Sequence, residues 1–227
     1  MNIEPIAYFH SPFKSKFGIP RQSGLVETEG KIVFESAYRD PNYLRGLENF
    51  DYIWLIWEFS ANKHHPHNAM VRPPVLGGNM RMGVFATRSP FRPNNIGLSS
   101  VRISFIEWAG REGPVLKVKG ADLMDGTPIF DIKPYVVYAD SHPDARSGFV
   151  DTNPWKKITV EIRDVIKALF AEREIQIMKE ALALDPRPHF HHDPEKIYGM
   201  PYGDYDVRFR VRGDVLTVVG AIKRIVR

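Results

Sequence analysis

The densest chemistry in this sequence lies between Gly83 and Ser99, where Arg88 and Arg92 flank a long excursion stiffened by Pro90, Pro93, Asn94 and Asn95. Such a loop holds two guanidinium groups in place and leaves backbone amides open to a ligand. No Asp or Glu occurs among the 48 residues from Phe59 to Ile106, whereas Lys63, Arg72, Arg81, Arg88, Arg92 and Arg102 all fall there with His64, His65 and His67. A surface built from this stretch attracts phosphates or carboxylates. Farther on, Asp125-Gly126-Thr127-Pro128 carries an Asp-Gly pair that serves equally as a turn or as part of a site, while Asp131 sits in a run that reads as strand. His64, His65 and His67 form one histidine cluster, and His189, His191 and His192 another. Neither shows the i, i+4 helical spacing with glutamate of a zinc hydrolase, so no metal is expected.

Composition narrows the classes further. The chain has 227 residues, of which 43% are hydrophobic and none is cysteine, with a formal charge of +4. That is enough apolar material for a sizeable core plus a small satellite, and it excludes disulfides, thiolate metal sites and cysteine nucleophiles. No apolar stretch is long enough to cross a membrane and the N-terminus lacks the order of a secretory signal, so a soluble cytoplasmic protein is expected. There is also no Gly-x-Gly-x-x-Gly turn between a strand and a helix, which argues against an ordinary Rossmann nucleotide site.

The elements that must position these groups are mostly strands. Alternation predicts strands at Ile3–Tyr8, Lys31–Glu35, Met82–Ala86, Leu98–Ile106, Val115–Lys119, Ile129–Ile132 and Tyr135–Tyr138, and a central strand buried on both faces at Tyr52–Phe59. A helical turn is expected at Asn42–Glu48. Ala139–Pro154 is rich in Asp, Ser, Pro and Gly and reads as a linker, giving a β-dominated domain over 1–154 and a small α+β domain over 155–227. In the latter, Val160–Ala183 reads as a helix interrupted near Glu172–Glu174, followed by strands Tyr205–Val211 and Val215–Ile222 joined at Gly213-Asp214.

Taken together, Pro20-Arg21-Gln22, Arg72-Pro73-Pro74 with Gly77-Gly78-Asn79, the Gly83–Gly97 run, the stretch from Leu123 to Tyr135, Asp185-Pro186-Arg187-Pro188 and Tyr205–Val211 resemble the TsaA-like family along essentially the whole chain. One departure is Asn95, where a second proline is expected and whose absence should loosen the turn slightly. The resemblance implies a mainly β, overall α+β protein with a single-sheeted, barrel-like site for S-adenosylmethionine (AdoMet). It also implies a homodimer, and methylation of N6 of threonylcarbamoyl-adenosine at position 37, beside the tRNA anticodon. The implied cofactor shell is Pro20, Arg21, Gln22, His64, His65, Arg88, Leu98, Asp125, Gly126, Thr127 and Pro128, with Arg88 on the AdoMet carboxylate. Methyl transfer to an exocyclic amine is an in-line displacement, so alignment and a proton acceptor are what the protein must supply. Asp125 or Asp131 would accept the proton. Tyr135, or an early aromatic such as Phe13, would stack on the base, and Arg92 and Lys133 would meet phosphate or the threonyl carboxylate.

Two other readings compete: a non-catalytic AdoMet- or RNA-binding module on the same barrel, and a histidine-metal hydrolase. For residues 155–227, whose 14 Lys/Arg exceed 11 Asp/Glu, added tRNA contacts on a self-contained barrel are expected. The competing expectation is a structural brace that packs through Val165, Leu169 and Phe170.

Overall fold

The computed structural model describes residues 2–62, 68–78, 80–188, 191 and 193–225. Its strands are β1 (Ala7–His10), β2 (Glu29–Phe34), β3 (Tyr52–Glu58), β4 (Met70–Val71), β5 (Met82–Gly83), β6 (Ile96–Glu107), β7 (Val115–Lys119), β8 (Thr127–Pro134), β9 (Thr159–Ile162), β10 (Tyr198–Tyr202), β11 (Tyr205–Arg212) and β12 (Val215–Lys223). Among the described residues four α-helices are interspersed: α1 (Val137–Asp140), α2 (Phe149–Thr152), α3 (Asp164–Lys167) and α4 (Glu172–Ala183).

Six strands close a barrel in the order β1-β2-β7-β6-β3-β8, sealed by the antiparallel pairing of Ala7–Phe9 with Ile129–Thr127. The period-2 alternation of side chains explains what fills it: Phe9, Ile32, Ile53, Leu55, Val101, Leu116, Val118 and Ile129 all point inward and are buried. The fold is therefore mainly β with a small α+β region, as expected. β3 is not buried on both faces, however. Ile53, Leu55 and Trp57 are inside, while Tyr52, Trp54, Ile56 and Glu58 lie on the outer face, because a closed barrel gives each strand only one interior side.

Other differences have equally local causes. Met82–Ala86 keeps only two residues of strand before a 3₁₀ turn, and the expected turn at Asn42–Glu48 is two short 3₁₀ turns. Ile129–Ile132 is part of the longer β8, and Tyr135–Tyr138 is not a strand but the entry to α1. The apolar stretch from Val160 begins as β9, pairs in parallel with β12, and becomes helix only at α3 and α4. β10 was not anticipated, since Gly199 and Pro201 disguise it; it lies at the sheet edge, where proline is tolerated.

Around the four-stranded sheet β10-β11-β12-β9 lies a second core, with Ile166, Ile177, Met178, Leu182, Met200, Val207, Phe209 and Leu216. Phe13 and Val26 belong to this core rather than to the barrel's, and Phe17 and Ile19 pack against it. Phe13 pairs by a backbone bridge with Tyr202, and their rings meet edge to face at 5.4 Å. Gly18, at φ +89°, lies so close to Met200 that a Cβ there would meet its sulfur at 2.2 Å. The segment 13–26 thus leaves the barrel and completes the second core. Val165 and Leu169 are exposed, so the expected brace does not pack through them; Phe170 meets Tyr202 and Tyr205 edge to face within the second unit.

Candidate active site

Two of the segments expected to hold the cofactor meet at one end of the barrel. The Arg88 guanidinium donates to Gln22 Oε1 at 2.7 Å across 66 residues of sequence. Behind them runs a chain of polar contacts: Trp57 Nε1 donates to Ser99 Oγ at 3.0 Å, and Ser99 Oγ donates to Asp122 Oδ1 at 2.6 Å. Burial pushes the Asp122 carboxyl above its ordinary range, an effect partly offset by hydrogen bonds from Ser99, from its own amide and from the Ser23 amide, and by the charge of Arg88. The Trp57 ring needs the space left by Gly97 on the neighbouring strand, where a Cβ would come within 2.4 Å of it. Trp57, Ser99, Asp122 and Ser23 escaped the sequence reading, because a single polar residue in a strand carries no local signal of a long-range partner.

A carboxyl whose pKa is raised on folding lowers stability once the unfolded chain has ionised. The unfolded Asp ionises near pH 4, so the penalty grows as pH rises from there through the folded value and is absent in acid. Asp122→Asn is therefore expected to melt above the parent at neutral pH and to converge with it at about pH 4. Melting curves at several pH values check this, and a gap that stays constant with pH would refute it.

The loop itself is tied down by Arg92, which donates to the carbonyls of Thr87 at 2.7 Å and Val84 at 3.3 Å. Arg88 remains exposed. Asn95 is not a loosened proline turn: its φ of +51° is one that proline cannot adopt, and its amide donates to the Arg92 carbonyl. The departure from the expected pattern thus fits the backbone that is present.

Around Asp125 the arrangement is tight. Its carboxylate lies 2.8 Å from Lys14 Nζ and 3.3 Å from His10 Nδ1, and it accepts from the Ser11 amide at 3.1 Å. Burial alone would raise its pKa, but Lys14, the Ser11 amide and His10 hold it below the ordinary range. His10 and Lys14 were not anticipated. Thr127 and Pro128 are buried in the pairing with β1, leaving the exposed Gly126 as the accessible backbone of this turn. Pro20 is buried as well, and the Arg21 side chain turns away from the barrel end, donating to the Asp185 carbonyl at 2.7 Å.

Leu98, Asp131, Lys133 and Tyr135 form a different group. Leu98 pairs with Ile56, Asp131 with Ile56 and Lys133 with Trp54, which sets them on the outer face shared by β6, β3 and β8. Asp131 and Lys133 form an ion pair at 3.0 Å, and the Tyr135 ring lies 5.7 Å from Trp54 and 6.2 Å from Tyr52. At about 3.3 Å per residue, Tyr135 stands ~23 Å along the strand from Pro128. One chain does not bring it to the Asp125 turn. His64 and His65 lie outside the described residues, as do His67, His189 and His192. Among the described residues, no group of three or more His, Asp or Glu is arranged to hold a metal ion, and no helix is long and apolar enough to cross a membrane.

Comparison with known proteins connects both units to one family. Residues 8–141 match the family model described as the tRNA-methyltransferase O N-terminal domain, and residues 156–224 match the one described as the TrmO C-terminal domain. The tRNA (adenine(37)-N6)-methyltransferase of Escherichia coli K12 is 40% identical over 217 residues, covering 92% of each chain. A Pseudomonas aeruginosa PAO1 protein named as a putative S-adenosylmethionine-dependent methyltransferase, RcsF, is 39% identical over 96% of each. The crystal structure of TrmO from Pseudomonas aeruginosa superposes with a TM-score of 0.77 at 33% identity, covering 97% of this chain and 98% of that one. On both its segments and along nearly its whole length, this chain belongs to the tRNA-methyltransferase O family.

Proposed function

We propose that this protein is an AdoMet-dependent methyltransferase acting on N6 of adenine 37 in tRNA, and that its substrate is the threonylcarbamoyl-adenosine form of that base. The observation that carries the reading is the Arg88–Gln22 contact, which joins two sequence-distant cofactor segments at one end of the barrel. The site suits AdoMet: an exposed guanidinium for its carboxylate, and open space over Gly126, where nothing lies within 4 Å of a Cβ position while its own amide is given to the Phe9 carbonyl. Arg88 would hold the carboxylate, and the backbones of Pro20–Gln22 and Leu98, with the exposed Gly126 of the Asp125 turn, would form the remaining shell. When bound, the cofactor supplies a methyl group activated by its sulfonium.

The protein's own part is alignment and proton removal. Asp125 already has two cationic partners and an amide, which suits a structural tie between β1 and the turn before β8. Asp131 is half-exposed and, among the described residues, pairs with one cation, Lys133, beside the Ile132 amide, so it is the better acceptor for the proton that the N6 amine releases. Lys133 then serves the substrate's threonyl carboxylate as a point charge. Arg92 contributes by fixing the loop, and Tyr135 with Trp54 offers an aromatic platform for a splayed base.

The outer face of β3 and β6 exposes Ile96 and Leu98 beside Trp54 and Ile56. We assign this apolar face to a homodimer contact, which would set residues of one copy beside those of the other; it supplies what the separation of Tyr135 from the Asp125 turn leaves incomplete in one chain. On the second unit, Arg208, Arg210 and Arg212 alternate along the exposed face of β11, opposite buried Val207, Phe209 and Val211. Their present partners are the partly buried Asp206 and the exposed Glu195, and a tRNA backbone would take the place of the latter. Such an enzyme works where tRNA is handled, in the cytoplasm.

Labelled AdoMet supplied with anticodon stem-loops that carry or lack the threonylcarbamoyl group tests the reading. Label is expected in the modified RNA alone, at N6 of position 37 by nucleoside mass spectrometry. Equal rates on both would refute the substrate assignment, and no transfer to either would refute the activity.

A further inference from the structure

Arg21 lies in the middle of a segment assigned to the cofactor, yet its side chain is held entirely by the other half of the chain. Its guanidinium carbon sits 3.8 Å from the centre of the Trp155 ring, and Nη2 donates to the main-chain oxygen of Asp185. The Asp185 carbonyl is itself well fixed. Asp185 takes a left-handed backbone at φ +49° just after α4, its amide donates to the Leu182 carbonyl, and Arg187 grips its carboxylate through Nε and Nη2, both at 2.8 Å. Immediately after Arg21, Gln22 is bonded to Arg88. Two adjacent residues are therefore gripped from opposite sides: Arg21 by residues 155–187 and Gln22 by the barrel end.

A planar guanidinium on an indole face is a directional contact, and it fixes the orientation of the backbone that carries it. We propose that Trp155 and the Asp185 carbonyl form a positioning clamp, which holds the Arg21 side chain so that the Pro20–Gln22 backbone is presented against Arg88, and through which residues 155–187 set AdoMet affinity without touching the cofactor. This rests on the assignment of Pro20–Gln22 and Arg88 to AdoMet made above. Trp155 is a positioning residue on this account, and its loss affects binding of the cofactor rather than the chemical step.

The test uses the full-length protein with Trp155→Ala and Trp155→Phe. AdoMet dissociation constants come from calorimetry, KM and kcat from tRNA methylation, and folding from thermal melts. Trp155→Ala is expected to raise the AdoMet dissociation constant and KM by about five- to tenfold, with kcat at saturating AdoMet within about twofold of the parent. Trp155→Phe, which keeps a ring face, should recover most of the affinity. If Trp155→Ala does not fold, Arg21→Lys bears the same expectation, since it keeps the charge and loses the stacking plane. Unchanged AdoMet affinity in the folded variant overturns the clamp. So does an affinity loss that Trp155→Phe fails to rescue and that tracks the loss of melting temperature. Absence of AdoMet binding by the unsubstituted protein overturns the cofactor assignment and the clamp with it, and the parent titration alone distinguishes that result.

Discussion

A chain cut after residue 154 is expected to lose its folded signal and its AdoMet binding together, instead of surviving as a barrel with weakened RNA affinity. Phe13 and Val26 are buried in the second core, and Phe17 and Ile19 pack against it. Removing residues 155–227 would return these four side chains to water. At roughly 1.5–3 kcal/mol for each fully buried large side chain, and less for the two that are partly buried, the loss is on the order of 5–10 kcal/mol. Total stabilities of single domains are about 5–15 kcal/mol, so the barrel would be left with little or nothing. The exposed Phe13, Phe17 and Ile19 would also form an apolar patch prone to association. Circular dichroism melts and AdoMet titration of the truncated chain check this. A soluble, cooperatively melting fragment with unchanged cofactor affinity would show instead that the barrel is self-contained and that the second unit only recruits RNA.

Arg88→Ala should have the opposite signature, with binding lost and stability kept. Arg88 is exposed and its hydrogen bond to Gln22 is a surface contact, so the melting temperature should move little. A charge-assisted contact to the AdoMet carboxylate is worth about 1.5–3 kcal/mol, which corresponds to a loss in affinity of roughly 10- to 150-fold. Arg92→Ala provides the contrast. That side chain is half-buried and donates to two carbonyls of its own loop, so its removal should loosen residues 84–92 and weaken AdoMet less than Arg88→Ala does. Calorimetry on folded variants decides between them, and an Arg88→Ala protein that binds AdoMet like the parent would displace the carboxylate pocket from this position.

What the sequence made legible was the local pattern. β6, β7, β11 and β12 follow directly from alternation, and the Gly213 turn joins the last two as anticipated. Alternation does not say how a sheet closes, so β3 with its run of large apolar residues reads as doubly buried although half of those residues face outward. β9 was hidden because Val160 and Ile162 continue into an apolar helix pattern, and only the pairing with β12 makes them strand. The site divides in the same way. Arg88 stood out through its dense loop and the absence of nearby acids. Asp122, Ser99, Lys14 and His10 acquire their roles from partners more than twenty or more than a hundred residues away, or from loop geometry that a sequence does not display. The Arg21 side chain is the sharpest case, since its acceptor is a main-chain carbonyl 164 positions later and the identity of residue 185 gives no hint of it.

The pairing of Phe13 with Tyr202 also bears on the order in which the protein is made. Synthesis runs from the N-terminus, and all six barrel strands are complete once residue 134 has emerged, so most of the barrel's ladder contacts are available early. The segment 13–26 must wait much longer: its burial partners Met200, Tyr202, Val207 and Phe209 lie far downstream of it and emerge only after the whole barrel. Contacts of such long sequence separation are entropically slow to form. The loop carrying Pro20–Gln22 is thus translated before most of the barrel but seated only after β10 and β11 have emerged, and on the cofactor assignment proposed above, competence for AdoMet would wait for those strands to fold onto it.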